Sequence, residues 1–212
     1  MAGITNVLEK RAREAGALAF VLTGSTARGR RTRVSDLDYH VIGGSPPDLS
    51  DLPEDIDLYT DDPERFRAKL RRGDDFAHWT VRYGCVLLDS GVIGEADAWI
   101  AETNSWPDAR RKLSQAQDAL RFADDLLDSG DYPAALEQYR SALSILARGL
   151  LLANGDFPLA RDELPGQLRA IGRLDLARAL RRSMDGRPLT DEMKRSIARA
   201  RRAGPMSRNL AA

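Results

Sequence analysis

The chain has 212 residues, enough for one large domain or two small ones, each with a workable core. Lys plus Arg equal Asp plus Glu at 32 each, so no global field directs the protein to nucleic acid or membrane. The single cysteine, Cys85, excludes an internal disulfide framework and a cysteine-rich zinc site.

Helix and strand signals alternate through the first half. Thr5 is positioned to cap a helix running to Glu14, which Gly16 ends. Ala17 to Thr23 is a short apolar run that reads as a buried strand. Gly24-Ser25 closes it and opens a short helix over Ser25–Gly29. From Asp36 to Gly43 the pattern has a period of two, with Leu37, Tyr39 and Val41 on one face and Asp36, Asp38 and His40 on the other. Asp55 to Thr60 is a further alternating strand. Pro63 opens a helix to about Arg72, and Asp74 caps another through Tyr83. Cys85-Val86-Leu87-Leu88 reads as a last strand in which the cysteine packs inside, and a helix follows over Glu95–Glu102.

After Trp106-Pro107 the period becomes helical and stays so. Asp108–Ser129 and Tyr132–Asn154 are long amphipathic helices joined at Gly130-Asp131, with shorter ones over Asp162–Ile171, Leu174–Met184 and Asp191–Ala203. The expected fold class is α+β. A small mixed β-sheet flanked by helices occupies residues 1–105, an all-α bundle residues 106–204, and a frayed tail residues 205–212. Residues 1–105 carry 13 basic and 18 acidic side chains and the remainder 19 and 14, so an acidic half precedes a basic one. The basic excess from Arg173 onward reads as a solvated helical surface, with an RNA- or phosphate-facing surface as the alternative. No apolar run approaches membrane-spanning length and the N-terminus has no signal-peptide core, so a soluble cytoplasmic protein with no membrane partner is expected.

Gly24 lets the backbone approach a ligand closely, and the helix start behind it offers amides and partial positive charge to phosphate oxygens, with the Ser25 hydroxyl as a further donor. Asp36 and Asp38, two apart on a strand, project from one face, where two carboxylates repel unless a cation lies between them. Hard oxygen ligands beside a phosphate site suit Mg²⁺. Asp57 is positioned to add a carboxylate from the next strand, with Asp55 and Asp61 as competitors. Arg28, Arg30, Arg31 and Arg33 flank the phosphate site, and one or two of them neutralise it. His40 reads as a hydrogen-bonded structural histidine and His78 as a packed one. Glu137 reads as an exposed helical residue, or as an acceptor-side base if the bundle supplies one.

The ordered set Gly24-Ser25-x₁₀-Asp36-x-Asp38, with Asp57 later, resembles the signature of the polymerase-β-type nucleotidyltransferase superfamily. Gly24-Ser25-Thr26-Ala27-Arg28-Gly29 is similar to the minimal nucleotidyltransferases, the subgroup that includes kanamycin nucleotidyltransferase and antitoxins paired with HEPN proteins. The resemblance covers residues 17–90. It implies ATP or another NTP as donor, two Mg²⁺ ions, and transfer of a nucleoside monophosphate, AMP in the first instance, to a hydroxyl with loss of pyrophosphate. Gly24, Ser25 and Arg28 then hold the triphosphate, and Asp36, Asp38 and Asp57 are the catalytic metal ligands. The acceptor is a small molecule, a protein hydroxyl or an RNA end. The run from Gly130-Asp131-Tyr132 to Gly155 resembles a HEPN-type bundle, but the histidines, His40 and His78, both lie in the first half, which argues against ribonuclease activity. The alternative function is an antitoxin-like module that binds, or nucleotidylates, a helical protein partner.

Overall fold

The computed structural model describes residues 2–31, 36–52, 55–187 and 191. The chain divides into two compact units between Pro107 and Asp108.

The first unit is built on a four-stranded mixed sheet. In chain order it comprises α1 (Ala2–Glu14), β1 (Ala19–Leu22), α2 (Gly24–Ala27), β2 (Leu37–Ile42), β3 (Ile56–Asp61), α3 (Pro63–Arg71), α4 (Asp75–Tyr83), β4 (Cys85–Asp89) and α5 (Val92–Thr103). The spatial order is β3-β2-β1-β4. β1 runs antiparallel to both β2 and β4, while β2 and β3 are parallel. Period-two alternation gives the sheet two buried faces. On one, Leu37, Tyr39 and Val41 pack with Phe20 and with Leu8 and Ala12 of α1. On the other, Ala19, Val21 and Ile42 pack with Phe66 and Leu70 of α3, Ala77 of α4 and Val92, Ile93 and Ala96 of α5.

Local chemistry explains where these helices begin. The Asp62 carboxylate accepts from the Arg65 amide at 2.8 Å, ahead of Pro63 at the first helical position of α3. Asp74 accepts from the amides of Phe76 and Ala77 at the start of α4. Asp89 accepts from the amides of Gly91, Ile93 and Gly94, which starts α5 three residues earlier than the expected Glu95.

Two expectations are corrected. Thr5 does not cap α1: the helix already runs from Ala2, and the Thr5 hydroxyl lies 3.1 Å from the phenolic oxygen of Tyr39. Cys85 is exposed rather than packed inside, because β4 is an edge strand and Cys85 opens it on the solvent side.

The second unit begins with an antiparallel pair, α6 (Ala109–Asp128) and α7 (Tyr132–Asn154), followed by α8 (Leu164–Ala170) and α9 (Leu174–Met184). Gly130, at φ +85°, makes the turn between the long helices, and Asp131 caps α7 through the Ala134 amide. Leu120, Leu143, Leu146, Leu151, Leu164, Leu168 and Leu180 fill the core. The Tyr139 hydroxyl donates to Asp124, tying α7 to α6. The fold class is therefore α+β, a small mixed sheet with helices followed by a helical region. Of the expected helix over Asp191–Ala203 only Asp191 is among the described residues, and the tail 205–212 lies outside them. Among the described residues no helix is long and apolar enough to cross a membrane.

Candidate functional site

β1 ends at Leu22, and the chain turns at Gly24 into the single turn of α2, one residue ahead of the expected Ser25 start. The amide of Thr23 donates to the carbonyl of Asp38 at 2.7 Å, and its hydroxyl lies 3.2 Å from the same oxygen. Thr23 precedes α2 but spends its hydroxyl on β2, so its side chain does not cap the helix. These contacts hold the Gly24 turn against Asp38. Gly24 has φ +65°, a backbone conformation that glycine adopts without a Cβ penalty. A Cβ built there would overlap Oδ2 of Asp38 and stand 2.8 Å from its Cγ. The two halves of the sequence pattern, ten residues apart, are thus in direct contact.

The parallel ladder then adds the third element. Asp38 and Asp57 are register partners, followed by Tyr39 with Leu58 and His40 with Tyr59. Partners on adjacent strands point to the same face, so the two carboxylates project side by side. Asp38 is half-buried and Asp57 exposed. The register selects Asp57 over its two competitors as the neighbour of Asp38. Asp55 precedes β3, and Asp61 lies four residues further along and is engaged elsewhere. Asp36 stands exposed, immediately ahead of β2.

Among the described residues, no three His, Cys, Asp or Glu side chains form a group that could hold a metal ion. The donor set nevertheless fits Mg²⁺, which is usually held by one or two carboxylates and completed by substrate phosphates and water. Asp38 and Asp57 would supply two such oxygen ligands from adjacent strands.

Arg28 follows α2, and its guanidinium carbon lies 5.0 Å from the centre of the Tyr83 ring, a cation–π contact that joins α2 to the end of α4. Ser25 is half-buried in α2. Arg33 lies outside the described residues. His78 is buried and donates from Nε2 to the carbonyl of Leu70 at 3.2 Å. Burial pushes its imidazole below the ordinary range, against a smaller upward pull from that carbonyl. Glu137 is exposed and paired with Arg140, one turn along α7.

One cluster was only half legible in the sequence. His40, expected as a hydrogen-bonded residue, is fully buried between two partners. Its Nδ1 lies 3.1 Å from the hydroxyl of Thr80 on α4, and its Nε2 lies 3.0 Å from Oδ2 of Asp61 at the end of β3. Lys69 of α3 donates to the same Oδ2 at 2.7 Å, and Arg65 Nε stands 3.2 Å from Oδ1. Burial alone would raise the Asp61 carboxyl, but hydrogen bonds from His40 and Lys69 and the Lys69 charge hold it below the usual carboxylate range. The Asp61–Arg65 pair is local, four residues apart. The pairing of His40 with Asp61, 21 residues apart, has no local signal.

No family model matches the sequence, and no curated protein matches it. Among solved structures the chain is similar to a nucleotidyltransferase-like protein from Exiguobacterium sibiricum 255-15. Identity is 18 %, the TM-score is 0.40, and the match covers 91 % of this chain and 71 % of that one. At that distance, any assignment of chemistry rests on the site's own residues.

Proposed function

We propose that the first unit is a Mg²⁺-dependent nucleotidyltransferase that moves a nucleoside monophosphate, AMP from ATP in the first instance, to a hydroxyl acceptor. The observation that carries this reading is the contact of the Gly24 turn with Asp38, together with the register that puts Asp57 beside Asp38. A close-approach glycine next to paired carboxylates is suited to a ligand that brings both phosphate and cation.

In this reading Gly24 gives the triphosphate access to the backbone, Ser25 adds a hydroxyl donor, and Arg28 contributes positive charge from the end of α2. Asp38 and Asp57 are ligands of the catalytic ion, and Asp36 completes the set that the family resemblance implies. When bound, Mg²⁺ supplies charge neutralisation at the phosphates and a template for in-line displacement. Asp57, the more exposed carboxylate, faces the acceptor and takes the proton of its hydroxyl. The acceptor oxygen forms the new bond to the α-phosphorus, the bond from that phosphorus to the α,β-bridging oxygen breaks, and pyrophosphate leaves. Catalysis comes from positioning and charge stabilisation rather than from a covalent enzyme intermediate.

The test is transfer of label from α-³²P ATP to a panel of aminoglycosides, protein hydroxyls and RNA ends, with and without Mg²⁺. Label transfer that requires Mg²⁺ and disappears in Asp38→Asn supports the reading. Undiminished transfer in Asp38→Asn plus Asp57→Asn overturns it.

A further inference from the structure

The strand that carries Asp57 is weakly anchored by apolar contacts. β3 is an edge strand whose one neighbour is β2, and the pair is parallel, the slightly less stable arrangement per residue. Along β3, Ile56 and Leu58 are half-buried, Asp57, Tyr59 and Thr60 are exposed, and the single buried side chain is Asp61. An edge strand with so little buried apolar surface has a weakly specified register. A slip of one residue would turn Asp57 to the opposite face, and a slip of two would place Asp55 or Tyr59 beside Asp38.

What opposes such a slip is polar and buried. His40 reaches from β2 to Asp61 on β3, so the bond spans the strand pair whose register matters. Asp61 is also held by Lys69 and Arg65 of α3, while the other nitrogen of His40 meets Thr80 of α4. Thr80 is itself oriented by donating to the carbonyl of Phe76 at 3.0 Å. The imidazole is wedged between the rings of Phe66 and Phe76, at centroid distances of 5.5 and 5.2 Å. Three elements, β3, α3 and α4, therefore converge on one imidazole, and it belongs to the β2 residue two positions beyond Asp38 on the same face. Fixing register is the best-attested use of a buried polar or ionic group, since such groups seldom repay their desolvation in net stability.

We infer that His40, through Asp61, is a positioning residue that pins the β2–β3 register in which Asp38 and Asp57 stand side by side. Cation binding then depends on a histidine that touches neither cation nor nucleotide. The inference rests on the proposed Mg²⁺ site.

The experiment titrates Mn²⁺, followed by its paramagnetic resonance, into the full-length wild type and into His40→Leu, His40→Gln and His40→Asn. Circular dichroism melts of the same samples report folding. Gln can replace the Nε2 bond to Asp61, whereas Asn replaces only the Nδ1 bond to Thr80. The expected result is a loss of about 10–100-fold in Mn²⁺ affinity for folded Leu and Asn variants, the usual cost of removing an outer support of a metal site. His40→Gln should recover most of it. If His40→Leu does not fold, the Gln and Asn pair decides. Wild-type affinity in a folded Asn variant overturns the inference and leaves the metal site standing. Absence of Mn²⁺ binding to the wild type overturns the metal site, and the inference with it.

Discussion

The carboxylate of Asp38 occupies the space that a side chain at Gly24 would fill. A Cβ at position 24 would overlap its Oδ2 and stand 3.2 Å from its Cβ, and the φ of +65° is one that L side chains rarely adopt. Gly24→Ala should therefore act twice. The left-handed backbone costs about 1–2 kcal/mol, and displacing the Asp38 carboxylate by even 1 Å costs about 10²-fold in turnover. Denaturant melts and label-transfer rates measure the two effects separately.

Asp38 and Asp57 carry like charges on adjacent strands, so neutralising the exposed Asp57 relieves repulsion in the cation-free protein. Asp57→Asn should leave the melting temperature unchanged or slightly higher, and Asp38→Asn serves as the second ligand variant. Transfer should fall about 10²-fold or more, since losing a ligand of the catalytic ion removes several kcal/mol of charge stabilisation. Calorimetry with and without Mg²⁺ provides the check: the wild type should be stabilised by the ion, and both variants should respond less.

Lys69 compensates a carboxylate whose side chain is 1 % exposed, while its own is 22 % exposed. Lys69→Met leaves Asp61 with His40 and the largely solvated Arg65. The expected loss of stability is about 3 kcal/mol, the lower end of the cost of orphaning one partner of a buried ion pair. Urea unfolding of the single variant tests this. Lys69→Arg, which keeps a cation within reach of Asp61, should regain part of the loss.

Period-two alternation made most of this site legible in the sequence. Leu37, Tyr39 and Val41 do bury together on one face, and Asp38 and His40 do share the other. Pro63 and Asp74 marked the starts of α3 and α4 within a residue, because a first-turn proline and an Asx cap are local chemistry. Pairings between distant segments left no such trace. The choice of Asp57 over Asp55 and Asp61 required the parallel register, which is set by the whole β2–β3 pair. The exposure of Cys85 followed from β4 lying at an edge, a property of strand order rather than of its apolar neighbours. The Thr5 hydroxyl went to Tyr39, 34 residues away, in preference to its own helix.

His78 gives the protein an acid-side sensitivity. Burial holds its folded-state pKa below the ordinary imidazole value of about 6.5, so the unfolded chain takes up a proton more readily than the native one. Its contribution is complete above that value and is lost as pH falls toward the folded-state value. Asp61 behaves in the same sense at lower pH, losing its contribution as pH falls below the usual carboxylate range. Unfolding free energies measured between pH 8 and 5 should decline for the wild type. The decline should be shallower in His78→Gln, and equal slopes would remove His78 as its source.

The most direct test is a crystal structure with a non-hydrolysable ATP analogue and Mn²⁺, in which anomalous scattering locates the ion independently of the refined coordinates. The site described here predicts a peak within coordination distance of carboxylate oxygens from both Asp38 and Asp57, with the triphosphate against the Gly24-Ser25 turn. A nucleotide bound away from that turn, or an ion that neither carboxylate touches, would contradict it.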